Sequence, residues 1–185
     1  MVQTPSTMTP LGAPAPDFSL PDSEGNIVSL SDCEEAPALL VVFMCNHCPF
    51  VKHVRQGLVQ LGRDLQREGV AVVGINANDA EKYPQDSPER MRDEVAEVGY
   101  TFPYLFDETQ EVAKAYGAAC TPDFYGFDKD LRLQYRGRIY EMTGRQPKPG
   151  APHELLAAMR QVARSGQGPR QQSPSMGCSI KWRAA

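Results

Sequence analysis

The chain has 185 residues, 41% of them hydrophobic, and a formal net charge of −4. This length fits one domain with a sizeable core, and the acidic balance argues against nucleic acid as a partner. No apolar run approaches the roughly 20 residues of a membrane span, so we expect no membrane partner. Residues 1–16 lack the basic and apolar regions of a secretory signal, which predicts a cytoplasmic protein.

The first predicted element is a β-hairpin. Residues 17–20 and 26–30 alternate polar and apolar side chains, and the residues between them have the composition of a turn. The residues that follow predict a short helical turn that carries Cys33, which we interpret as a structural cysteine.

Two cysteines follow the most apolar stretch of the chain. The run at residues 39–43 predicts a buried strand, and Cys45 and Cys48 come directly after it, just before Pro49 opens a helical pattern. The unpaired N–H groups and the dipole of a helix start stabilise a thiolate. We therefore expect Cys45 to be a nucleophile near neutral pH, and protonated His47 to favour the thiolate further.

The rest of the chain alternates strands and helices. Residues 49–68 predict an amphipathic helix, and the apolar run at 70–76 predicts a second buried strand. The order strand, helix, strand implies a right-handed parallel crossover. Further along we predict, in order, a helix at 87–99, an extended stretch at 102–106, a helix at 107–117, a hairpin at 124–136 and a last helix with the apolar stripe Leu155, Met159 and Val162.

The end of the chain carries a cysteine and the only tryptophan. Residues 165–175 are rich in Gly, Gln, Pro and Ser, which predicts a flexible tether. We expect residues 176–182 to dock on the domain, with Trp182 supplying apolar cover. The predicted organisation is a flexible arm at 1–10, one domain at 11–165 and a C-terminal tail at 166–185.

The order of these motifs resembles the thioredoxin-like superfamily. More closely, it resembles the peroxiredoxin-like branch that holds the AhpC/TSA proteins and the thiol–disulfide oxidoreductases. The resemblance rests on A-P-D-F at residues 15–18, the C-x-x-C motif, Thr121-Pro122 and G-C-S-I-K-W at residues 177–182. It implies an α/β thioredoxin fold, with a central mixed β-sheet flanked by helices and an N-terminal β-hairpin extension. It also implies a cis Thr121–Pro122 bond beside the two cysteines.

Some positions depart from the patterns of these families. Met44 stands where thioredoxins usually carry tryptophan before the first cysteine. Peroxiredoxins place threonine three residues before the cysteine that peroxide oxidises. Here Cys45 takes the place of that threonine and Cys48 takes the place of that cysteine. The resemblance therefore supports dithiol exchange more strongly than it supports peroxide reduction.

Dithiol exchange is the first of three functions that fit these residues. As a thiol–disulfide oxidoreductase, the protein would use Cys45 to attack a substrate disulfide. Cys48 would then attack Cys45 and release the reduced substrate. The predicted supporting residues are His47, Pro49, Thr121 and Pro122.

The second function is a peroxiredoxin-like thiol peroxidase in which peroxide oxidises Cys48. The third is a metal-binding module whose soft ligands are Cys45, Cys48, His47 and His53. We rank it last because no second C-x-x-C motif completes a zinc site. We expect neither a metal nor another cofactor.

Cys120 and Cys178 are candidates for additional redox residues. Cys120 stands two residues before Pro122, which brings it towards the C-x-x-C motif, but free cysteine is commonly a small buried apolar residue. Cys178 lies on the tail. The expected partners are protein or small-molecule disulfides, or peroxides, together with a cellular thiol reductant.

Overall fold

The computed structural model of the protein describes residues 3–184. Its strands are β1 (Gln3–Pro5), β2 (Ser19–Pro21), β3 (Ile27–Ser29), β4 (Ala38–Phe43), β5 (Ala71–Asn76), β6 (Tyr104–Phe106), β7 (Cys120–Thr121), β8 (Asp123–Asp128), β9 (Leu133–Tyr135), β10 (Met142–Thr143), β11 (Gln146–Pro147) and β12 (Met176–Ser179). Its α-helices are α1 (Pro49–Arg67), α2 (Pro88–Val98), α3 (Glu111–Tyr116) and α4 (Glu154–Ser165). Short 3₁₀ turns lie at Leu30–Cys33 and Pro84–Asp86.

A five-stranded mixed sheet forms the centre of the protein, in the order β6-β5-β4-β8-β9. Strands β4, β5 and β6 run parallel, whereas β8 pairs antiparallel with β4 and β9 antiparallel with β8. Every residue of β4 is buried, because both faces of this strand are covered and an apolar run satisfies both. The predicted central mixed sheet with flanking helices is confirmed.

Alternate side chains of β4 enter two separate cores. Leu40 and Val42 pack in a core with residues of α1 and α4, whereas Val41 and Phe43 pack on the other face with residues of α3 and the N-terminal segment. This separation follows from the period-two alternation of side chains along a strand. The strand therefore anchors both layers, and its carboxyl end carries the C-x-x-C motif.

The N-terminal hairpin is confirmed, with Ser19 opposite Ser29 in the β2–β3 pair. The carboxylate of Asp22 accepts hydrogen bonds from the backbone N–H groups of Glu24 and Asn26, both at 2.9 Å, which fixes the turn. Cys33 is buried in the predicted helical turn, and burial, with the nearby Asp32 charge, raises its pKa to about 11. Such a thiol is poorly reactive at neutral pH.

The N-terminal arm and the tail belong to a second, three-stranded sheet, in the order β1-β12-β7. The sequence predicts a flexible arm at residues 1–10, yet Gln3–Pro5 forms a strand that pairs antiparallel with β12. Met1 and Val2 of that arm, and Ala185 of the tail, lie outside the described residues. Neither β1 nor β12 has an alternating pattern long enough to predict a strand.

The predicted tether at residues 165–175 is likewise held against the domain. The side chain of Gln172 accepts a hydrogen bond from the Arg136 N–H at 2.7 Å and donates one to the Gln134 carbonyl at 2.9 Å. The Arg138 N–H donates to the Ser173 carbonyl at 2.9 Å. The segment therefore runs along β9, the edge strand of the central sheet. Its composition alone does not reveal this position.

Residues 176–182 lie against the domain, but the expected source of apolar cover is wrong. Ile180 and Cys178 are buried at 3% and 4% exposure, whereas Trp182 is 39% exposed. The Lys114 ammonium nitrogen lies over the Trp182 ring, 6.0 Å from the ring centre. Within residues 3–184, none of the helices combines the length and the apolar character that crossing a membrane requires.

Candidate active site

The two cysteines lie where β4 gives way to α1. Cys48 is the N-cap residue of α1, with extended backbone dihedrals of φ −69° and ψ 123°, and Pro49 is the first helical residue. This position places Cys48 at the free N–H groups of the first helical turn, and the backbone N–H of Val51 is one of the groups that lower the pKa of Cys48. Both sulfurs are enclosed, with Cys45 at 2% and Cys48 at 0% exposure.

The surroundings of the two sulfurs favour the thiolate at Cys48. The Cys45 thiol donates a hydrogen bond to the Cys48 sulfur, and further hydrogen bonds come from Cys178 and the Val51 N–H; together they lower the pKa of Cys48 against the opposing effect of burial. At Cys45, burial raises the pKa, and the donated hydrogen bond and the Asp86 charge raise it further. The electrostatics thus differ from the expectation that Cys45 carries the charge.

One contact opposes ionisation of Cys48. Its sulfur lies 3.2 Å from the carbonyl oxygen of Thr121, to which a protonated Cys48 donates. A carbonyl stabilises the thiol and not the thiolate. The neighbouring thiols and the start of α1 have the opposite effect, and the net result is a lowered pKa of Cys48.

Thr121 contacts both active-site sulfurs. Its hydroxyl lies 3.4 Å from the Cys45 sulfur, and its carbonyl oxygen makes the contact with Cys48. The peptide bond from Thr121 to Pro122 is cis, as the family resemblance implies. The segment before this proline therefore forms one wall of the site.

Asp86 is the main residue that the sequence interpretation missed. Its side chain is completely buried and accepts hydrogen bonds from the Asn46 N–H and the Asn78 amide, both at 2.8 Å. It also bonds the Nδ1 atom of His47 at 2.5 Å. The sequence held a signal for this contact. Parallel strands such as β4 and β5 bring their carboxyl ends to the same edge of a sheet. The segment that follows Asn76, the last residue of β5, therefore lies on the side of the C-x-x-C motif, and Asp86 is in this segment.

His47 is directed to Asp86 and not to the Cys48 sulfur. Its ring stacks on Tyr83, with centroids 5.5 Å apart and planes 3° from parallel. The sequence predicts that protonated His47 favours the thiolate of Cys45, and a ring nitrogen of His47 lies within 4.8 Å of the Cys45 sulfur. His47 is not among the groups that lower the pKa of Cys48. In this arrangement His47 and Asn46 fasten the C-x-x-C loop to the turn Pro84–Asp86.

A small group of ligand atoms lies on the same side of the motif. Cys45, His47 and Asp86 each offer one ligand atom, and these atoms lie within 4.8 Å of one another. Their mixed sulfur, nitrogen and oxygen donors suit a transition metal such as zinc. His53, a ligand in the metal-binding interpretation, instead bonds the Arg145 carbonyl at 2.9 Å.

The structure separates the two additional redox candidates. Cys120 is fully buried, its thiol faces the Pro122 carbonyl at 3.8 Å, and burial raises its pKa. Cys178, by contrast, lies opposite Thr121 in the β12–β7 pair and packs in the same core as Cys48, whose pKa it lowers. The tail cysteine is therefore the one that reaches the active site directly.

An apolar cavity of about 110 Å³ lies beside the cis proline. It is lined mainly by Phe50, Val54, Pro122, Ile139, Tyr140 and Met176. Arg138 lies at its rim, where its guanidinium pairs with Glu154 at 2.8 Å. The cavity offers an apolar surface next to the start of α1.

The sequence matches the AhpC/TSA family over residues 11–136. Peroxiredoxin Bcp of Escherichia coli K12 is 30% identical over 121 residues, which cover 64% of this chain and 72% of that protein. The thiol-disulfide oxidoreductase ResA of Geobacillus thermodenitrificans is 27% identical over 131 residues, 71% of each chain. A crystal structure of an uncharacterized conserved protein from Geobacillus kaustophilus is 50% identical, with a TM-score of 0.93 and coverage of 100% of this chain and 98% of that one.

The matched region holds both cysteines of the motif, the cis proline and all five strands of the central sheet. The surrounding fold is that of thioredoxin. The chain therefore belongs to the AhpC/TSA family, within the peroxiredoxin-like branch of the thioredoxin-like redox enzymes.

Proposed function

We propose that the protein is a thiol–disulfide oxidoreductase that alternates between a Cys45/Cys48 dithiol and a Cys45–Cys48 disulfide. The observation that carries this proposal is that both sulfurs meet at Thr121 beside the N-terminus of α1. The Cys45 sulfur lies 3.4 Å from the Thr121 hydroxyl, and the Cys48 sulfur lies 3.2 Å from the Thr121 carbonyl oxygen. The pKa of Cys48 is lowered and that of Cys45 is raised, which favours a thiolate beside a thiol, the two states that the successive steps of thiol–disulfide exchange require.

The charge distribution supports Cys48 as the attacking sulfur, which reverses the order expected from the sequence. The Cys48 thiolate attacks a substrate disulfide, so that a mixed disulfide forms and the first substrate thiolate leaves. The Cys45 sulfur then attacks Cys48, the second substrate sulfur leaves, and the proton of Cys45 passes to the departing thiolate. The substrate gains two electrons, and a cellular thiol reductant returns them to the protein.

The shape of the site supports small substrates. Both sulfurs are almost completely enclosed, so a folded protein substrate would have to displace the segments that cover them, whereas a small disulfide needs a smaller opening. The cavity beside Pro122 offers apolar contact to such a molecule. We also propose a cytoplasmic location, where thiol reductants keep such pairs reduced.

The proposal is tested with the reduced full-length protein and hydroxyethyl disulfide as substrate. We expect wild type to consume the disulfide and to form a Cys45–Cys48 bond, which mass spectrometry of peptides identifies. Cys48→Ser should lose the reaction, and Cys33→Ser, a cysteine in the other core, should retain it. Retention of the wild-type rate in Cys48→Ser, or consumption without a Cys45–Cys48 bond, would contradict the proposal.

Peroxide reduction is the second candidate function, and one observation favours it. Cys48 is the N-cap residue of α1, and its pKa is lowered, with the Cys45 thiol three positions earlier as the largest cause. The thiolate would attack a peroxide oxygen, release water or an alcohol and become a sulfenic acid, and Cys45 would then form the disulfide and release water. Stopped-flow measurement of hydrogen peroxide consumption separates the two functions, since a rate equal to that of a free thiol excludes a peroxidase.

A further inference from the structure

The tail strand brings a third cysteine into the active site. Strand β12 pairs antiparallel with β7, and Cys178 lies directly opposite Thr121. Thr121 is the residue that contacts both sulfurs of the C-x-x-C motif. Cys45, Cys48 and Cys178 also pack in the same buried core, and the Cys178 side chain lowers the pKa of Cys48. The sulfurs of residues 45, 48 and 178 therefore meet around one residue.

Several contacts fix the tail in this position. A Cβ atom on Gly177 would overlap the Thr121 carbonyl, so the glycine allows β12 to approach the wall of the site. The Ser175 hydroxyl donates to the Pro122 carbonyl at 2.8 Å, and the Ile180 N–H donates to the Ala119 carbonyl at 3.2 Å. On its other side β12 pairs with β1. The position of Cys178 is thus set by backbone pairing on both sides of the strand.

The tail lies beyond the part of the chain that matches the AhpC/TSA family, which ends at residue 136. The family match therefore assigns no role to Cys178. Strand β12 also covers one edge of β7, where the backbone would otherwise present unpaired groups beside the sulfurs. Cys178 on this strand therefore lies beside the C-x-x-C motif.

We infer that Cys178 is a third redox residue, which takes over the disulfide from Cys45 and fastens β12 across the active site as a Cys48–Cys178 bond. The inference rests on the proposed function, which supplies the Cys45–Cys48 disulfide. The Cys178 sulfur attacks Cys48, so the Cys48–Cys178 bond forms and the Cys45–Cys48 bond breaks. Cys45 leaves as a thiolate and takes the proton that Cys178 loses, so the exchange needs no further oxidant.

The electrostatics agree with this order of events. Burial raises the pKa of Cys178 to about 12, and its hydrogen bond to Cys48 and the Cys48 charge add to this effect. While the site is reduced, Cys178 therefore stays protonated beside Cys48. Oxidation of Cys48 removes that negative charge, which favours ionisation of Cys178 at the step where it attacks.

The test compares wild type with Cys45→Ser, Cys178→Ser and Cys120→Ser. Each reduced full-length protein is treated with hydroxyethyl disulfide, blocked with iodoacetamide and digested with trypsin and a glutamate-specific protease without reduction. Residues 36–52 then carry Cys45 and Cys48, residues 115–129 carry Cys120, and residues 171–181 carry Cys178. Circular dichroism checks that each variant has the fold of wild type.

We expect the peptide of residues 36–52 to be linked to that of 171–181 in a fraction of wild type and in most of Cys45→Ser. The link should be lost in Cys178→Ser and unchanged in Cys120→Ser, the matched control. A Cys45–Cys48 bond in wild type without any Cys48–Cys178 link in Cys45→Ser overturns the inference and leaves the proposed function standing. The absence of a Cys45–Cys48 bond in wild type overturns the proposed function. It also removes the disulfide that Cys178 would attack.

Discussion

The two sides of the C-x-x-C motif are built from different chemistry. On the Cys45 side, the buried Asp86 carboxylate collects hydrogen bonds from Asn46, His47 and Asn78. On the Cys48 side, the neighbours are the helix N-terminus, other sulfurs and the wall formed by Thr121. A carboxylate opposes a nearby thiolate, and N–H and S–H donors stabilise one. This difference raises the pKa of Cys45 and lowers that of Cys48, although the two cysteines belong to one short motif.

The two sides also differ in how they are held. Asp86 is enclosed and its partners are all buried or half-buried, so this side is part of the core. The Cys48 side is closed by β12, a strand of four residues that belongs to the tail. We therefore expect substitutions near Asp86 to reduce stability, and substitutions in the tail to change access to the sulfurs.

The largest expected effect is on the carboxylate side. Asp86→Ala leaves the buried Asn46 N–H and the Asn78 amide without their acceptor, and each buried unsatisfied donor costs about 1–3 kcal/mol. We expect the free energy of unfolding, measured with urea, to fall by about 3 kcal/mol. Removal of the Asp86 charge should also lower the pKa of Cys45.

Asp93→Ala is the matched control for Asp86→Ala. Asp93 is 66% exposed and pairs with Arg90 at 3.3 Å, and exposed ion pairs contribute about 1 kcal/mol at most. We expect its loss to change the free energy of unfolding by less than about 0.5 kcal/mol. If Asp86→Ala and Asp93→Ala lowered the free energy of unfolding equally, Asp86 would contribute no more to stability than an exposed carboxylate. The Cys45 side would then not be part of the core.

The second prediction concerns the strand that closes the other side. Gly177→Ala places a Cβ against the Thr121 carbonyl, and such overpacking typically costs about 1–3 kcal/mol. We expect β12 to separate from β7, which raises the rate of Cys48 alkylation by iodoacetamide. The emission of Trp182, the only tryptophan, should shift to longer wavelength as the tail becomes solvated. Ser179→Ala, which adds no atom to the same strand, should leave both signals unchanged.

The third prediction tests the charge on Cys48 through the pH dependence of stability. The pKa of Cys48 is lowered in the folded protein, so between that value and the ordinary thiol pKa the unfolded chain binds one more proton. The free energy of unfolding then rises with pH, by up to about 1.4 kcal/mol per unit. This contribution is complete above the unfolded pKa and is lost as the pH falls through the folded one.

Cys48→Ser removes this proton linkage. We expect the stability difference between reduced wild type and Cys48→Ser, measured by urea unfolding, to grow from pH 6 to pH 8. Cys33→Ser is the control, because the raised pKa of Cys33 gives no slope in this range. Parallel pH curves for wild type and Cys48→Ser would mean that the folded protein keeps Cys48 protonated.

The sequence predicted what depends on local pattern. The apolar run of β4, the proline at the start of α1 and the cysteine spacing lie within a dozen residues, and together they located the dithiol at a helix N-terminus. The role of Asp86 depends on partners that lie 39 residues away in the chain, which no local pattern reveals. The proposed change of nucleophile from Cys45 to Cys48 has the same origin, since Cys178 and Thr121 reach Cys48 only in the folded protein.

The tail illustrates the other limit of prediction from sequence. Strands of three or four residues carry too little alternation to be recognised, and β1 and β12 form because they pair with each other and with β7. Trp182 was expected to anchor the tail because a large aromatic side chain usually buries apolar area. Backbone pairing and the smaller Ile180 take that place.

The smallest expected effect follows from this view of the tail. The Lys114 ammonium lies 6.0 Å from the centre of the Trp182 ring, at the limit of a cation–π contact, which contributes about 0.5 kcal/mol at exposed sites. We expect Lys114→Ala to lower the free energy of unfolding by no more than this and to leave Cys48 alkylation unchanged. Lys129→Ala, at an exposed lysine in a turn, is the control. A loss several times larger, with faster alkylation of Cys48, would show that Trp182 anchors the tail and that the backbone pairing of β12 does not suffice.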